Sequence, residues 1–458
     1  MKLALIGGGG VRAPEFVRGL LAFARDLDLQ ELWLMDDNAG RLALMTPLCE
    51  SVLAEAGSPF RMIATHSLDD ALRDAGMIVT TIRVGQEHGR VLDERVALRH
   101  NVLGQETTGA GGFSMAMRSI PALIDIAARA EKLAPRAWTF NFTNPAGLVA
   151  QAMHEAHFRR TVGICDGANT AQSELAAWLK VPVDSVKTEV YGLNHLSWTR
   201  EARVNGVDVL PRALADDAFI QNTHLRFFGA DLVRRFGEFL NEYLYYFYFR
   251  DVAVRRIQEE EETRGEQIER MNADLFAQLR AATPGRAMHL YEAYNRSRSA
   301  SYMAYAEADE VLREQRAHSS DPQAILGHAQ EEVGGYAGVA LRAGLALTQN
   351  RPLRIGLNVP NRGAIYGMAD DDVVEVTCEV DGSGIHPVTI GEVPEGNHLL
   401  MRSVKRYERL AAQAILNRSR TLGVEALAAH PLIGSYPLAE TLLDEYLQAH
   451  RSFVGEWH

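Results

Sequence analysis

The chain opens with a short apolar run at residues 2–6 that breaks into four glycines, Gly7 to Gly10, and enters a helical pattern at Pro14. No other feature constrains the fold as strongly. A strand, a glycine turn and a helix in immediate succession begin a βαβ unit, and proline suits a first helical turn, where its missing N–H has no partner to lose. Further apolar runs at 31–35, 61–64, 77–82, 137–142 and 161–164 predict five more strands, separated by amphipathic stretches such as 14–27 and 114–132. This alternation predicts an α/β fold whose N-terminal part is a Rossmann-like, doubly wound parallel sheet.

After His195 the pattern changes. Alternating segments at 196–209 precede a long helical region, 223–279, rich in aromatic and charged residues. A polar, Arg-rich stretch at 281–332 reads as an excursion on a second domain; a strand pair follows at 353–359 and 373–380, and a helix from 438 closes the chain. With 458 residues, one core is too small an account. The expected division is 1–195 for a nucleotide-binding domain and 196–458 for a mixed α+β domain carrying catalysis, substrate and assembly.

The net charge of -12 argues against nucleic acid or an anionic membrane as partner, although a local arginine cluster can still select an anionic small molecule. Three irregularly spaced cysteines, Cys49, Cys165 and Cys378, make no disulfide framework and imply a reducing compartment. Strand-like sequence from Lys2 leaves no room for a signal peptide, and no apolar run has membrane-spanning length. The expectation is a soluble, cytoplasmic protein.

Read from Gly8, the turn fits G-x-G-x-x-A through Gly10, Arg12 and Ala13. Backbone without side chains can approach a pyrophosphate, whose charge then rests on a helix N-terminus. Asp36, at the end of the second strand, stands where a ribose-binding acid belongs and would repel a 2′-phosphate, favouring NAD over NADP. Ligands of open α/β sheets bind beyond the carboxyl ends of the strands. There the sequence places Arg83, then Asn141 and Asn144, then Cys165 and Asp166, with a second glycine-rich segment at 104–112. Taken singly, Cys165 reads as an inert core thiol and His195 as a structural histidine. Together they are able to hold a divalent metal while leaving positions open for substrate oxygens.

Several stretches in this order resemble glycoside hydrolase family 4, NAD-dependent glycosidases that do not use paired carboxylates. They are Ile82-Arg83-Val84-Gly85, Gly104-Gln105-Glu106-Thr107-Thr108-Gly109, Asn141-Phe142-Thr143-Asn144-Pro145-Ala146-Gly147, Gly163-Ile164-Cys165-Asp166 and Tyr191-Gly192-Leu193-Asn194-His195-Leu196-Ser197. The second half adds Glu262-Thr263-Arg264, Asn358-Val359-Pro360-Asn361-Arg362-Gly363 and His430-Pro431-Leu432. The 6-phospho-β-glucosidase branch is the most similar.

By that resemblance Cys165 and His195 are ligands of Mn²⁺ or a similar ion. Arg83, Asn144 and Arg264 hold the sugar, Gly8, Gly10, Arg12 and Asp36 serve NAD, and Tyr243 is the catalytic base. The implied reaction oxidises sugar C3, removes the C2 proton, eliminates the C1 substituent, adds water and returns the hydride, so NAD is regenerated. A homodimer or homotetramer acting on an anionic glycoside is expected.

Three positions depart from the phospho-β-glucosidase pattern. The turn lacks hydroxyl-bearing residues before Pro14. Asp166 stands where β-specific members carry Asn, and where phospho-α-glucosidases carry Asp as proton donor to the leaving group. Val333 replaces the arginine of an Arg-Gly-Gly stretch, while Arg296 and Arg298 appear upstream. The expectation is that Arg296, Arg298 or Arg12 reaches the C6 anion. A 6-phospho-β-glucosidase is the first reading, with a sulfoquinovosidase or 6-phospho-α-glucosidase as alternatives, and a hydroxy-acid dehydrogenase or NAD-binding sensor from other classes.

Overall fold

The computed structural model describes residues 1–307 and 335–458. Six strands form the parallel part of the main sheet: β1 Lys2–Ile6, β2 Glu31–Met35, β3 Arg61–Thr65, β4 Met77–Thr80, β5 Trp138–Asn141 and β6 Thr161–Gly163. Their spatial order is β3-β2-β1-β4-β5-β6, so the order reverses between β1 and β4. Helices cover both faces, and the middle of β1 and β4 is apolar: Leu3, Leu5, Ile78 and Val79 are fully buried. Each such side chain contributes about 1.5–3 kcal/mol on burial.

The first helix, Ala13–Leu21, carries Pro14 in its first turn and ends six residues before the expected limit, passing into turns closed by Asp28 at φ 46°. The second, Gly109–Leu133, starts at the glycine-rich segment and is buried over its first twelve residues, Gly109 to Ile120.

A smaller antiparallel sheet follows, made of β7 Val186–Leu193, β8 Leu196–Val204, β9 Val207–Asp208 and β10 Phe239–Leu240. The hairpin between β7 and β8 turns at Asn194 and His195, and His195 adopts φ 62°. Residue 195, the expected domain limit, is therefore the tip of this hairpin. Three later strands return to the main sheet: β11 Leu353–Pro360, β12 Val373–Asp381 and β13 Gly384–Pro387. Antiparallel pairing of β11 with β6 extends that sheet to nine strands, so both halves of the chain share it.

The expected helical region at 223–279 is largely helical, built from several helices with one two-residue strand, β10, among them. Gly229 and Gly237, at φ 79° and 67°, interrupt the helical path, and β10 then pairs with β8. Asn241 caps a 3₁₀ turn, Glu242–Leu244, through the Tyr243 N–H. Helices Arg250–Glu259 and Arg264–Ala281 follow, the second held by a Thr263–Glu266 capping box.

The described part of the Arg-rich stretch is a helix, Pro284–Ala300, and a 3₁₀ turn, Ala304–Ala306; the helix packs on Arg264–Ala281 and also reaches the nucleotide half. Tyr291 and Tyr294 join Val11, Met45 and Leu48 in a separate buried cluster, and the Tyr291 hydroxyl donates to the Val11 carbonyl at 2.8 Å. Val333 and Gly334 lie outside the described residues. Three further helices escaped the sequence reading, Gly335–Gln349, Glu395–Asn417 and Arg420–Ala429; the helix expected from 438 runs over Tyr436–Ala449, beginning two residues earlier.

Candidate active site

Beyond Ile6 the chain turns at the reversal of strand order, where open α/β sheets bind ligands. Gly7 sits at φ 101°, and a Cβ there would lie 2.5 Å from the Thr81 carbonyl oxygen. A Cβ on Gly8 would meet Leu34 at 2.9 Å, and one on Gly9 the Asp36 carboxylate at 2.9 Å. The turn therefore excludes side chains where backbone must pass closely. Gly10 donates to the Gly7 carbonyl at 3.0 Å, and Arg12, just ahead of the helix, lies over the Phe142 ring at 5.4 Å. Asp36 has a task the sequence reading missed. It accepts the Gly9 and Asn38 N–H groups, each at 2.9 Å, tying the turn to the end of β2. Burial outweighs these two bonds and raises its carboxyl above the ordinary value. Each carboxylate oxygen retains a lone pair for a ribose hydroxyl.

Cys165, two residues past β6, and His195, at the hairpin tip, come together. Their Sγ and Nε2 atoms are 3.5 Å apart, and both residues are buried. Thiolate and imidazole ligands of one tetrahedral ion stand ~3.5 Å apart, given bonds of about 2.3 and 2.0–2.1 Å. The ring orientation also fits. Thr107 Oγ1 donates to Gln105 Oε1 at 2.8 Å, so it accepts from His195 Nδ1–H at 3.1 Å. That leaves the Nε2 lone pair facing Cys165. Burial lowers His195 to about 4, so the imidazole is neutral, the form that binds metal. Burial, Asp166 and Glu375 push the Cys165 thiol well above its ordinary value. Such negative surroundings are what a divalent cation would neutralise. Asp166 Oδ1 lies 3.8 Å from Cys165 Sγ, and among the described residues no three His, Cys, Asp or Glu side chains are grouped to hold a metal ion.

Tyr243 stacks face to face on His195, with ring centroids 3.8 Å apart and planes within 5°. Its hydroxyl engages Tyr302. Burial and Glu242 hold the phenol well above its ordinary value, with Tyr302 pulling the other way. Asp166 is exposed, next to the buried Cys165. Asn144 is half-buried and forms a cis peptide with Pro145, which lines a small cavity beside His195.

The expected sugar-binding arginines gather in one cluster. Arg83 and Arg90 both pair with Glu106, and Arg90 also pairs with Glu94 at 2.7 Å. Burial opposes ionisation of Glu106, but Arg83 and Arg90 outweigh it and hold the carboxyl well below its usual range. Arg264 donates to Gln267 at 2.6 Å and to the Arg298 carbonyl at 2.8 Å. Burial, then Arg298 and Arg90, depress its guanidinium to about 9. Arg298 donates to Tyr294 at 2.6 Å and has no carboxylate partner among the described residues. Four guanidinium groups thus share two carboxylates. Arg296 diverges from Arg298 on the same helix and is exposed, as i and i+2 residues must. Arg90, Glu94, Gln105 and Glu106 were not singled out by role. Arg90, Glu94 and Gln105 are buried polar side chains.

Comparison with known proteins accords with this arrangement. The family 4 glycosyl hydrolase model matches residues 2–181, and the model for that family's C-terminal domain matches residues 190–433. A probable 6-phospho-beta-glucosidase of Bacillus subtilis is 29% identical, covering 100% of this chain and 98% of that protein. The structure of the 6-phospho-beta glucosidase from Thermotoga maritima with manganese, NAD+ and glucose-6-phosphate superposes with a TM-score of 0.80 at 26% identity, covering 99% of both chains. A 6-phospho-alpha-glucosidase from gut microorganisms, in complex with NAD and glucose-6-phosphate, gives a TM-score of 0.80 at 25% identity over 100% of this chain and 99% of that one. With both of its parts matched in order along nearly the whole sequence, this chain belongs to glycosyl hydrolase family 4.

Proposed function

We propose that the protein hydrolyses a glucoside carrying an anion on C6, of the 6-phospho-β-glucoside type, with NAD⁺ and a divalent metal such as Mn²⁺. The observation that carries this reading is the buried Cys165–His195 pair, 3.5 Å apart, stacked beneath Tyr243. When bound, NAD⁺ takes up a hydride from C3 and gives it back, while the metal polarises the sugar oxygens and acidifies C2–H.

The residues of the chain do the rest. The Gly7–Gly10 turn and Asp36 hold the dinucleotide, with Gly8, Gly10 and Arg12 nearest its phosphates. Cys165 and His195 supply two ligands from two different elements, so metal and cofactor share one rigid frame. Tyr243 takes the C2 proton, and Asp166, beside Cys165, is the candidate proton donor to the leaving group. Arg83, Asn144 and Arg264 bind the sugar. The two positive charges left over in the arginine cluster favour a phosphate, which carries close to two negative charges, over a singly charged sulfonate. Arg298, which has no carboxylate partner among the described residues, is the member of that cluster proposed to meet the C6 anion.

An α-linked substrate is a second reading, favoured by Asp166 alone. Residues 196–458 contribute Tyr243, Arg264 and Arg298, which supports their role as the catalytic and substrate-binding part. Dimers or tetramers in the cytoplasm complete the proposal, supported by family resemblance and by three free, buried cysteines.

The test uses purified protein with NAD⁺, Mn²⁺ and reductant on α- and β-aryl 6-phosphoglucosides, an aryl sulfoquinovoside and a neutral aryl glucoside. Cleavage of the β-6-phospho compound, requiring NAD⁺ without net NADH formation, is expected. Full activity after NAD removal refutes the oxidative reaction, and net NADH release indicates a dehydrogenase.

A further inference from the structure

Beneath the Cys165–His195 pair, three neutral side chains converge on one carboxylate. Glu375, on β12, is fully buried. Its Oε1 accepts from Asn194 Nδ2 and Asn358 Nδ2, each at 3.1 Å, and its Oε2 accepts from Ser197 Oγ at 2.8 Å. No Lys, Arg or His pairs with it among the described residues. Burial pushes its carboxyl up to about 7, although all three donors act in the opposite direction. An acid buried without a cation is costly, and its persistence in a Val-rich strand needs a reason.

The positions of the donors supply one. Asn194 and Ser197 flank His195, whose left-handed backbone at φ 62° must be held by its neighbours. Asn194 Oδ1 also accepts the Gly147 N–H at 3.2 Å, reaching the loop that carries Asn144. Asn358 lies in register with Gly163 on β6, two residues before Cys165. A Cβ on Gly163 would come within 2.9 Å of the Asn358 Cβ, so the two strands are in close contact there. Ser197 in turn accepts from Asn241 Nδ2, on the turn that presents Tyr243. One carboxylate thus reaches the segments bearing both proposed ligands and, through one further bond, the base.

We propose that Glu375 is a positioning residue for the metal centre: it braces the His195 turn against the strand beside Cys165 and places a compensating negative charge behind the cation. The inference rests on Cys165 and His195 being the metal ligands. With the cysteine as thiolate, the carboxylate would complete the neutralisation of a divalent ion, and the ion in turn would relieve the cost of the buried acid.

The experiment titrates Mn²⁺ into metal-stripped, NAD-loaded wild type, Glu375→Gln, Glu375→Asp and Cys165→Ser, and melts each protein without metal. Glu375→Gln keeps the size and most of the hydrogen bonding but removes the charge. Its Mn²⁺ affinity is expected to fall about 10–100-fold, the range for partners behind a metal ligand. Its metal-free melting temperature should equal or exceed that of wild type, because an uncompensated buried charge has gone. Glu375→Asp, which keeps the charge, should retain more affinity than Glu375→Gln. Unchanged Mn²⁺ affinity in Glu375→Gln overturns the proposal. So does a loss matched by lower metal-free stability with no advantage for Glu375→Asp, the pattern of a purely structural residue. If Cys165→Ser binds Mn²⁺ like wild type, the ligand assignment itself fails, an outcome distinct from failure at Glu375 alone.

Discussion

Replacing Thr107 by valine tests the metal site through a residue that need never touch metal or sugar. The change keeps the β-branched shape and removes the oxygen that accepts from His195 Nδ1–H at 3.1 Å. Gln105 Oε1 keeps the Thr107 and Thr108 N–H groups, at 2.6 and 2.7 Å, so the loop retains its internal bonds. His195 is buried, and its Nδ1–H then has no acceptor, a cost of about 1–3 kcal/mol. The ring escapes that cost by moving its proton to Nε2 or by turning, and either response withdraws the lone pair facing Cys165. Mn²⁺ affinity should fall about 10–100-fold, equivalent to ~1.4–2.7 kcal/mol. NAD⁺ affinity should stay as it is, because Thr107 takes no part in the glycine turn. Thr107→Ser, which restores the hydroxyl, should recover most of the loss. Calorimetric titration of Mn²⁺ and of NAD⁺ into the three proteins measures all of this. Equal Mn²⁺ affinity in wild type and Thr107→Val would show that the histidine is not locked in this way.

Two further outcomes are expected. Tyr243→Phe should abolish exchange of the substrate C2 hydrogen with solvent deuterium, followed by NMR, while slow hydride transfer at C3 persists; undiminished exchange ends the case for Tyr243 as base. Arg298→Ala should lower kcat/KM on a 6-phosphoglucoside about 10–100-fold, the worth of a charged hydrogen bond of roughly 1.5–3 kcal/mol, with little effect on a neutral glucoside or on the KM for NAD⁺, whereas Arg296→Ala should change none of these; equal losses on both sugars would remove Arg298 from the anion site.

The parts of the molecule legible in the sequence are those written locally. Gly7 to Gly10 between a strand and Pro14, and Asp36 at a strand end, announce their geometry because turn, strand and helix are contiguous. The six parallel strands were legible for the same reason, to within two residues at their ends. The Cys165–His195 pair was legible as a possibility from two metal-binding side chains near strand ends and was specified by family resemblance; the contact itself, across thirty residues, is tertiary. Most of 223–279 is helical, as the sequence predicts, but the breaks at Gly229 and Gly237 and the β10 pairing that bends the chain were not legible, because that pairing is a tertiary event. For the helix Pro284–Ala300, periodicity gave no partner. Its tyrosines choose the nucleotide half only because helix Arg264–Ala281 delivers them there. Glu375 left a faint signal, an acid inside Val373-Val374-Glu375-Val376-Thr377, which breaks the rule for a strand buried on both faces.

The return of β11–β13 to the main sheet links the fold to its chemistry. A sheet of six parallel strands would leave the outer edge of β6 open, and β11 closes it. Closing that edge brings Asn358 alongside β6, and Glu375 next to Asn358, directly behind the residues proposed to hold the metal. A reaction that must return a hydride to the molecule it came from has to keep the oxidised sugar beside the cofactor. That condition is met if the metal's two protein ligands are fixed to the sheet that holds the dinucleotide, one by the end of β6 and one by a hairpin braced from β12. Loosening either brace should therefore release oxidised sugar and NADH before turnover is complete, so variants at Thr107 or Glu375 are expected to show net NADH formation that the wild type lacks. A spectrophotometric trace at the NADH band, taken during substrate cleavage, decides the matter; variants that lose rate without accumulating NADH would mean that the metal frame does not retain the intermediate.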